Sequence, residues 1–185
     1  RNGEMNRDYA QRANKAHSAT VYEDKKNMDD EHVRAGRGSA FARDFGHIEV
    51  DDSVDLGKFK AISDEYGTYS AMLPRQRVTA DFRFRKTGRH HATGVYTPAV
   101  RNIAVDPRAP SSFTHEYMHH LDFTDQPGMQ LSMTPGFRGI VRDYSARIDR
   151  EQAEGTDINH YIAPTEVFAR AGELWMHWSH PNAKT

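Results

Sequence analysis

Residues Ser111 to Asp122 read Ser-Ser-Phe-Thr-His-Glu-Tyr-Met-His-His-Leu-Asp, and no other stretch constrains the fold as much. Taken as a helix, it has two unlike faces. Residues four apart are offset by about 40° around a helix, so His115 and His119 lie together. Asp122 falls about one turn beyond His119 on that face. Phe113, Tyr117, Met118 and Leu121 fall on the opposite side, where they can anchor the helix in a core. Two imidazoles at i and i+4 can reach one tetrahedral cation. Glu116, beside the first, is placed to take a proton from an activated water. Asp122 is expected to accept a ring N–H from a histidine and so fix its tautomer. A surface helix with scattered His and Glu would match the five letters HExxH equally well. The apolar back face, the position of Asp122 and strand-like runs just upstream argue against that simpler reading.

Composition narrows the chemistry. The chain has 185 residues and no cysteine, so disulfides and any thiolate metal site are excluded. That length suits one domain with an appendage. The 25 Lys+Arg nearly balance the 26 Asp+Glu, and a net charge of −1 argues against a nucleic-acid or anionic-membrane partner. No apolar run approaches the roughly 20 residues of a membrane span, and no signal-peptide pattern opens the chain. The chain starts on Arg1 rather than Met, as expected of a piece of a longer protein or a processed form. Localisation stays open.

Residues 1–35 are very polar and read as a loosely held helical arm, with a break at Gly36-Arg37-Gly38-Ser39. Leu56, Phe59, Ile62 and Tyr66 predict a helix over about 53–66 that ends near Gly67. From Val78 to Arg85 the period changes to two, with Val78, Ala80, Phe82 and Phe84 inward and Arg83 and Arg85 on the outer face. His90-His91 read as turn residues. Thr93–Thr97 and Val100–Val105 predict a hairpin with Pro98 at its turn. Ser111 or Ser112 is expected to cap the HExxH helix. A helix after Pro135 carries Phe137, Ile140, Val141, Tyr144 and Ile148 on one side. Residues 149–160 read as a polar connection. A last helix starts near Pro164, which suits a first turn. It places Glu166, Arg170 and Glu173 on one stripe, with Trp175 and Trp178 at core spacing.

HExxH supplies two ligands, and a catalytic cation needs a third with one position open. Asp125 and Glu166 are the candidates, and the pattern by itself leaves both open. A solvated Glu166–Arg170 ion pair at i,i+4 would also explain the last helix. The segment His115-Glu116-Tyr117-Met118-His119-His120-Leu121-Asp122, followed by Tyr161-Ile162-Ala163-Pro164-Thr165-Glu166-Val167-Phe168-Ala169-Arg170-Ala171, resembles the gluzincin metallopeptidases of the lethal-factor kind. It is similar also to zincin domains of phage and mobile-element polyproteins. The resemblance covers about residues 93–178. It implies Zn2+ held by His115, His119 and Glu166, with Glu116 as the base and Tyr161 as the donor to the developing oxyanion.

The expectation is therefore an α+β, zincin-like fold: a small twisted sheet, the HExxH helix packed on it and C-terminal helices delivering Glu166. Residues 1–75 would form the helical arm or subdomain and residues 76–185 the metallopeptidase domain. The expected function is zinc-dependent hydrolysis of a protein or peptide bound along an edge strand. The alternative is a catalytically silent zinc-binding module of a phage or secreted assembly. Its site would be closed by a fourth protein ligand such as His120, Asp125 or a histidine of the His90-His91 pair.

Overall fold

A computed structural model of the chain describes residues 25, 28–87, 92–148 and 157–182. Among them the arrangement is α+β, with six α-helices and one four-stranded mixed sheet. In chain order the elements are α1 (Asp30–Arg37), β1 (Ile48–Val50), α2 (Leu56–Tyr69), β2 (Asp81–Phe84), β3 (Gly94–Thr97), β4 (Asn102–Val105), α3 (Ser112–Thr124), α4 (Pro135–Arg147), α5 (Ile158–Tyr161) and α6 (Pro164–Ser179).

The strand order is β1-β2-β4-β3. β1 runs parallel to β2, with Ile48 opposite Phe82, and β2 runs parallel to β4, with Phe82 opposite Ile103. β3 and β4 form the expected antiparallel hairpin, with Tyr96 opposite Ile103. Pro98 opens the short 3-10 turn between them, where its missing N–H removes no ladder bond. Arg101 closes that turn in the left-handed region at φ 49°. Of the two strands of this hairpin, β3 is the edge strand and β4 lies inside the sheet.

α3 docks on this sheet through Phe113, Tyr117, Met118 and Leu121, all buried, as its sequence pattern requires. Phe113 enters an aromatic cluster. Its ring meets Phe82 nearly edge-on, with centroids 5.5 Å apart, and Phe41 stacks on Tyr66 at 4.2 Å. Edge-to-face contacts set the negative face of one ring against the positive rim of another.

That cluster draws on residues from both sides of residue 75. Phe41, Phe59, Tyr66 and Tyr69 belong to one core with Phe82, Ile103, Phe113 and Leu121. Residues 1–24, 26 and 27 of the expected arm lie outside the described residues. Its last part is held closely: Asp29 caps α1 by accepting from the His32 backbone N–H at 2.9 Å, and Gly36 is buried against Ile48 of β1. α2 continues past Gly67 because Tyr69, two residues on, is anchored in the core.

Other expectations fail for one physical reason: a periodic pattern shows that an element has two faces, not what covers each. Arg83 and Arg85 do not form a solvated outer face. Both are buried with Glu49 of β1, and Arg85 Nη1 donates to Glu49 Oε1 at 3.0 Å. The backbone N–H of Lys25 donates to the other Glu49 oxygen. Trp175 and Trp178 do not enter the core; Trp178 is 76% exposed. α6 packs instead through Val167, Ala169, Gly172 and Met176. α4 buries none of its side chains fully, although the Phe137 ring rests on Phe168 at 5.2 Å. Ser111 occupies the N-cap position of α3, but its side chain makes no capping hydrogen bond. His90-His91 and residues 149–156 lie outside the described residues, and the end of the polar connection is the short helix α5. No helix among the described residues is long and apolar enough to cross a membrane.

Because Phe113 joins α3 to the sheet cluster, Phe113→Ala should lower the unfolding free energy by about 3–5 kcal/mol. Denaturant titration measures this. A loss under about 1 kcal/mol would mean that the cluster does not hold α3.

Candidate metal centre

One turn of α3 separates His115 from His119, and their Nε2 atoms lie 3.1 Å apart. Glu166, in the first turn of α6, reaches both. Its Oε2 is 3.4 Å from His115 Nε2 and its Oε1 is 3.3 Å from His119 Nε2. For a tetrahedral ion with bonds of about 2.1 Å, neighbouring donors stand about 3.3–3.4 Å apart. Two nitrogens and a carboxylate at 3.1–3.4 Å therefore fit one such ion without rearrangement. Asp125, the other candidate third ligand, is not part of this group. It follows the end of α3, and its backbone carbonyl accepts from Arg77 Nη1 at 2.7 Å.

Two roles move to other residues. Asp122 does not orient a histidine. It is fully buried and accepts from the backbone N–H and the hydroxyl of Ser132, at 2.7 and 2.9 Å, so it ties the segment after α3 back onto the helix. Glu173, two turns beyond Glu166 on the same stripe, takes that position: its Oε2 is 3.1 Å from His115 Nδ1. Tyr161 does not line the cleft. Its ring lies under the Arg170 guanidinium at 4.0 Å, and its backbone carbonyl accepts from Arg170 Nη1. The neighbouring His160 does line the cleft, with Nε2 3.5 Å from Glu166 Oε2. The expected Glu166–Arg170 pair is present at 3.4 Å, alongside the histidine contacts rather than instead of them.

His120, adjacent to His119, points away from this group. Its Nε2 donates to the Val78 carbonyl at 2.7 Å, which leaves Nδ1 to accept from the Tyr96 hydroxyl at 3.1 Å. Burial pushes its pKa down, so it stays neutral and committed to the sheet side.

Glu116 is 7% exposed and faces the cleft beside the imidazoles. Burial pushes its carboxyl above the ordinary value, opposed by the charges of His115 and His119 and by a hydrogen bond from the Tyr96 backbone. Gly94 makes this placement possible. A Cβ at Gly94 would sit 2.7 Å from Glu116 Cγ and Oε1 and 2.9 Å from Ser112 Cβ, so only a residue without a side chain fits between β3 and α3. Gly172 plays the same part between α3 and α6, since a Cβ there would collide with the side chain of Met118.

Charge is concentrated here. Burial lowers the basicity of His115, but its hydrogen bonds to Glu166 and Glu173 outweigh this and push it up to about 9. Burial raises Glu166, and the two histidines more than reverse that, holding its carboxyl below the ordinary range. The group opens into a cleft of about 720 Å³. One wall is β3 with Pro98, the floor is α3, and His160, Thr165, Glu166 and Glu173 close the other side.

No protein-family model, curated protein or solved structure matches this chain. Of the site residues, Glu173 had a signal in the sequence, the seven-residue step from Glu166 along one helix face. His160 and Gly94 had none, since neither lies in a recognisable pattern.

Two outcomes follow from this geometry. A zinc ion taken by the trio must displace the proton on His115, so apparent affinity should rise about tenfold per pH unit between pH 6 and 8 and level off above about 9. Calorimetric titration with zinc chloride at several pH values measures it, and a flat profile would count against displacement. Gly172→Ala should push α6 off α3 and weaken zinc binding at least tenfold, although no ligand is altered. Unchanged affinity would show that Gly172 does not set the helix spacing.

Proposed function

We propose that this chain is a zinc-dependent endopeptidase of zincin type, related in its site to the gluzincins. The observation that carries the reading is the convergence of His115, His119 and Glu166 at tetrahedral spacing, with Glu116 beside them in a cleft walled by an edge strand. Zinc held by the three donors would supply Lewis acidity toward a water and toward the scissile carbonyl.

The chain's own groups do the rest. Glu116 takes the proton of the attacking water and passes it to the leaving amine. Its raised proton affinity suits that double role, because a carboxylate far below neutrality would hold a proton too weakly. Glu173 keeps His115 turned so that Nε2 faces the donors of His119 and Glu166. His160, half-exposed at the cleft wall, is the donor available to the developing oxyanion in place of Tyr161. The edge strand β3 offers backbone groups to an extended protein or peptide substrate.

The second reading is a silent zinc-binding module within a phage or secreted assembly. The open cleft and the commitment of His120 to the sheet favour the enzyme over it.

Glu116→Gln should retain zinc and lose hydrolysis of unfolded protein substrates by at least a hundredfold. Glu166→Ala should abolish tight zinc binding, while Asp125→Ala should leave it intact. Zinc content by elemental analysis and cleavage by mass spectrometry report the two effects separately. Wild-type protein that binds zinc but cuts nothing would favour the silent module. Zinc binding lost in Asp125→Ala and kept in Glu166→Ala would transfer the ligand role.

A further inference from the structure

The cleft is not uniform along its length. β3 and α3 run side by side in the same direction. Gly94 lies against Ser112 and Glu116 at one end, and Tyr96 lies against His120 and Phe123 at the other. The end near Ser112 is lined by Thr93, Ser112 and Glu173. The other end is lined by Tyr96, Pro98 and Phe123.

Phe123 follows His119 by one helical turn, so its ring stands on the cleft face of α3 and not on the core face. It is 37% exposed. Its ring is tilted 51° against Tyr96, with centroids 5.9 Å apart. Tyr96 is itself fixed, because its hydroxyl donates to His120 Nδ1, whose other nitrogen is bound to the Val78 carbonyl. Pro98 adds a rigid, exposed ring at the bend of the hairpin. Two aromatic rings and a proline thus present an apolar surface that lines this end of the cleft.

We propose that Tyr96, Pro98 and Phe123 form a subsite for a bulky apolar side chain of the bound peptide, two or three residues from the bond that is cut. This rests on the peptidase reading and specifies its substrate class. The distance follows from helix and strand rise. Phe123 lies four to eight residues along α3 from the two histidines, about 6–12 Å at 1.5 Å per residue. From midway between the two histidines the span is about 9 Å, which an extended peptide covers in two or three residues at about 3.3 Å each. Among the described residues the polar end of the cleft has no comparable surface, so the preference falls on one side of the bond only. A single apolar contact of this kind discriminates by roughly 10- to 200-fold, and a surface open on one side belongs near the lower figure.

The test uses the full chain loaded with zinc and a mixture-based peptide library, with products read by mass spectrometry. The expected result is enrichment of Leu, Met or Phe at one position within three residues of the cut, on one side. Phe123→Ser should remove that enrichment, Phe123→Leu should keep it, and Val100→Ser, at an exposed residue outside the cleft lining, should change nothing. Cleavage without apolar enrichment, or a profile unchanged by Phe123→Ser, overturns the subsite and leaves the peptidase reading standing. If the wild type binds zinc and cuts nothing, the peptidase reading fails. The subsite is then judged by anisotropy with labelled Leu- and Ser-containing peptides on the Glu116→Gln protein. About tenfold tighter binding of the Leu peptide supports the subsite; equal binding, or none, overturns it.

Discussion

The Met118 side chain of α3 lies on the bare backbone of Gly172, and this contact sets how closely α6 approaches α3. Small residues at a helix interface let backbones come together, and Ala169 and Gly172 do so on the buried face of α6. The close approach has a consequence on the adjoining stripe. Glu166 and Glu173, seven residues apart on one helix, both reach histidines of α3. With a larger residue at 172, neither carboxylate would be within range. The tryptophans lie off this contact face and remain exposed.

The electrostatics of the centre follow from that packing. Three carboxylates, Glu116, Glu166 and Glu173, surround two imidazoles in a partly buried cleft. Hydrogen bonds to Glu166 and Glu173 outweigh burial and push His115 up to about 9, while the two histidines hold Glu166 low against the effect of burial. Glu116, which lies against β3, departs in the other direction because burial dominates there. Neighbouring carboxylates pushed in opposite directions by their surroundings is the condition under which one can serve as ligand and the other can carry protons. Elsewhere the protein also buries charge, in the Glu49–Arg85 pair on the sheet, neither member of which lines the cleft.

Much of this was legible in the chain. The two faces of α3, the β3–β4 hairpin with Pro98 at its bend, the start of α6 at Pro164 and the stripe from Glu166 to Glu173 all follow from short-range spacing. The failures share a cause. Asp122 was on the correct face for a histidine partner, yet Ser132, ten residues on, offers two donors to its carboxylate and takes it. Tyr161 stood close to Glu166 in sequence, yet Arg170 of the next helix holds its ring outside the cleft. Arg83 and Arg85 alternated as a solvated face should, yet Glu49 covers them. In each case a partner distant in the chain decided the side chain's role.

The sequence by itself determined which atoms could meet a cation on α3: the 3.6-residue period places His115 and His119 together whatever surrounds the helix. It also determined, through the absence of cysteine, that no thiolate can serve as a further ligand. Only the tertiary structure decided that Glu166 and not Asp125 stands beside the two histidines, that Glu173 and not Asp122 meets His115, and that Gly94 leaves space for Glu116. The physical reason is that periodicity is a property of one backbone segment. The approach of α6 and β3 to α3 depends on side chains filling space between segments far apart in the chain.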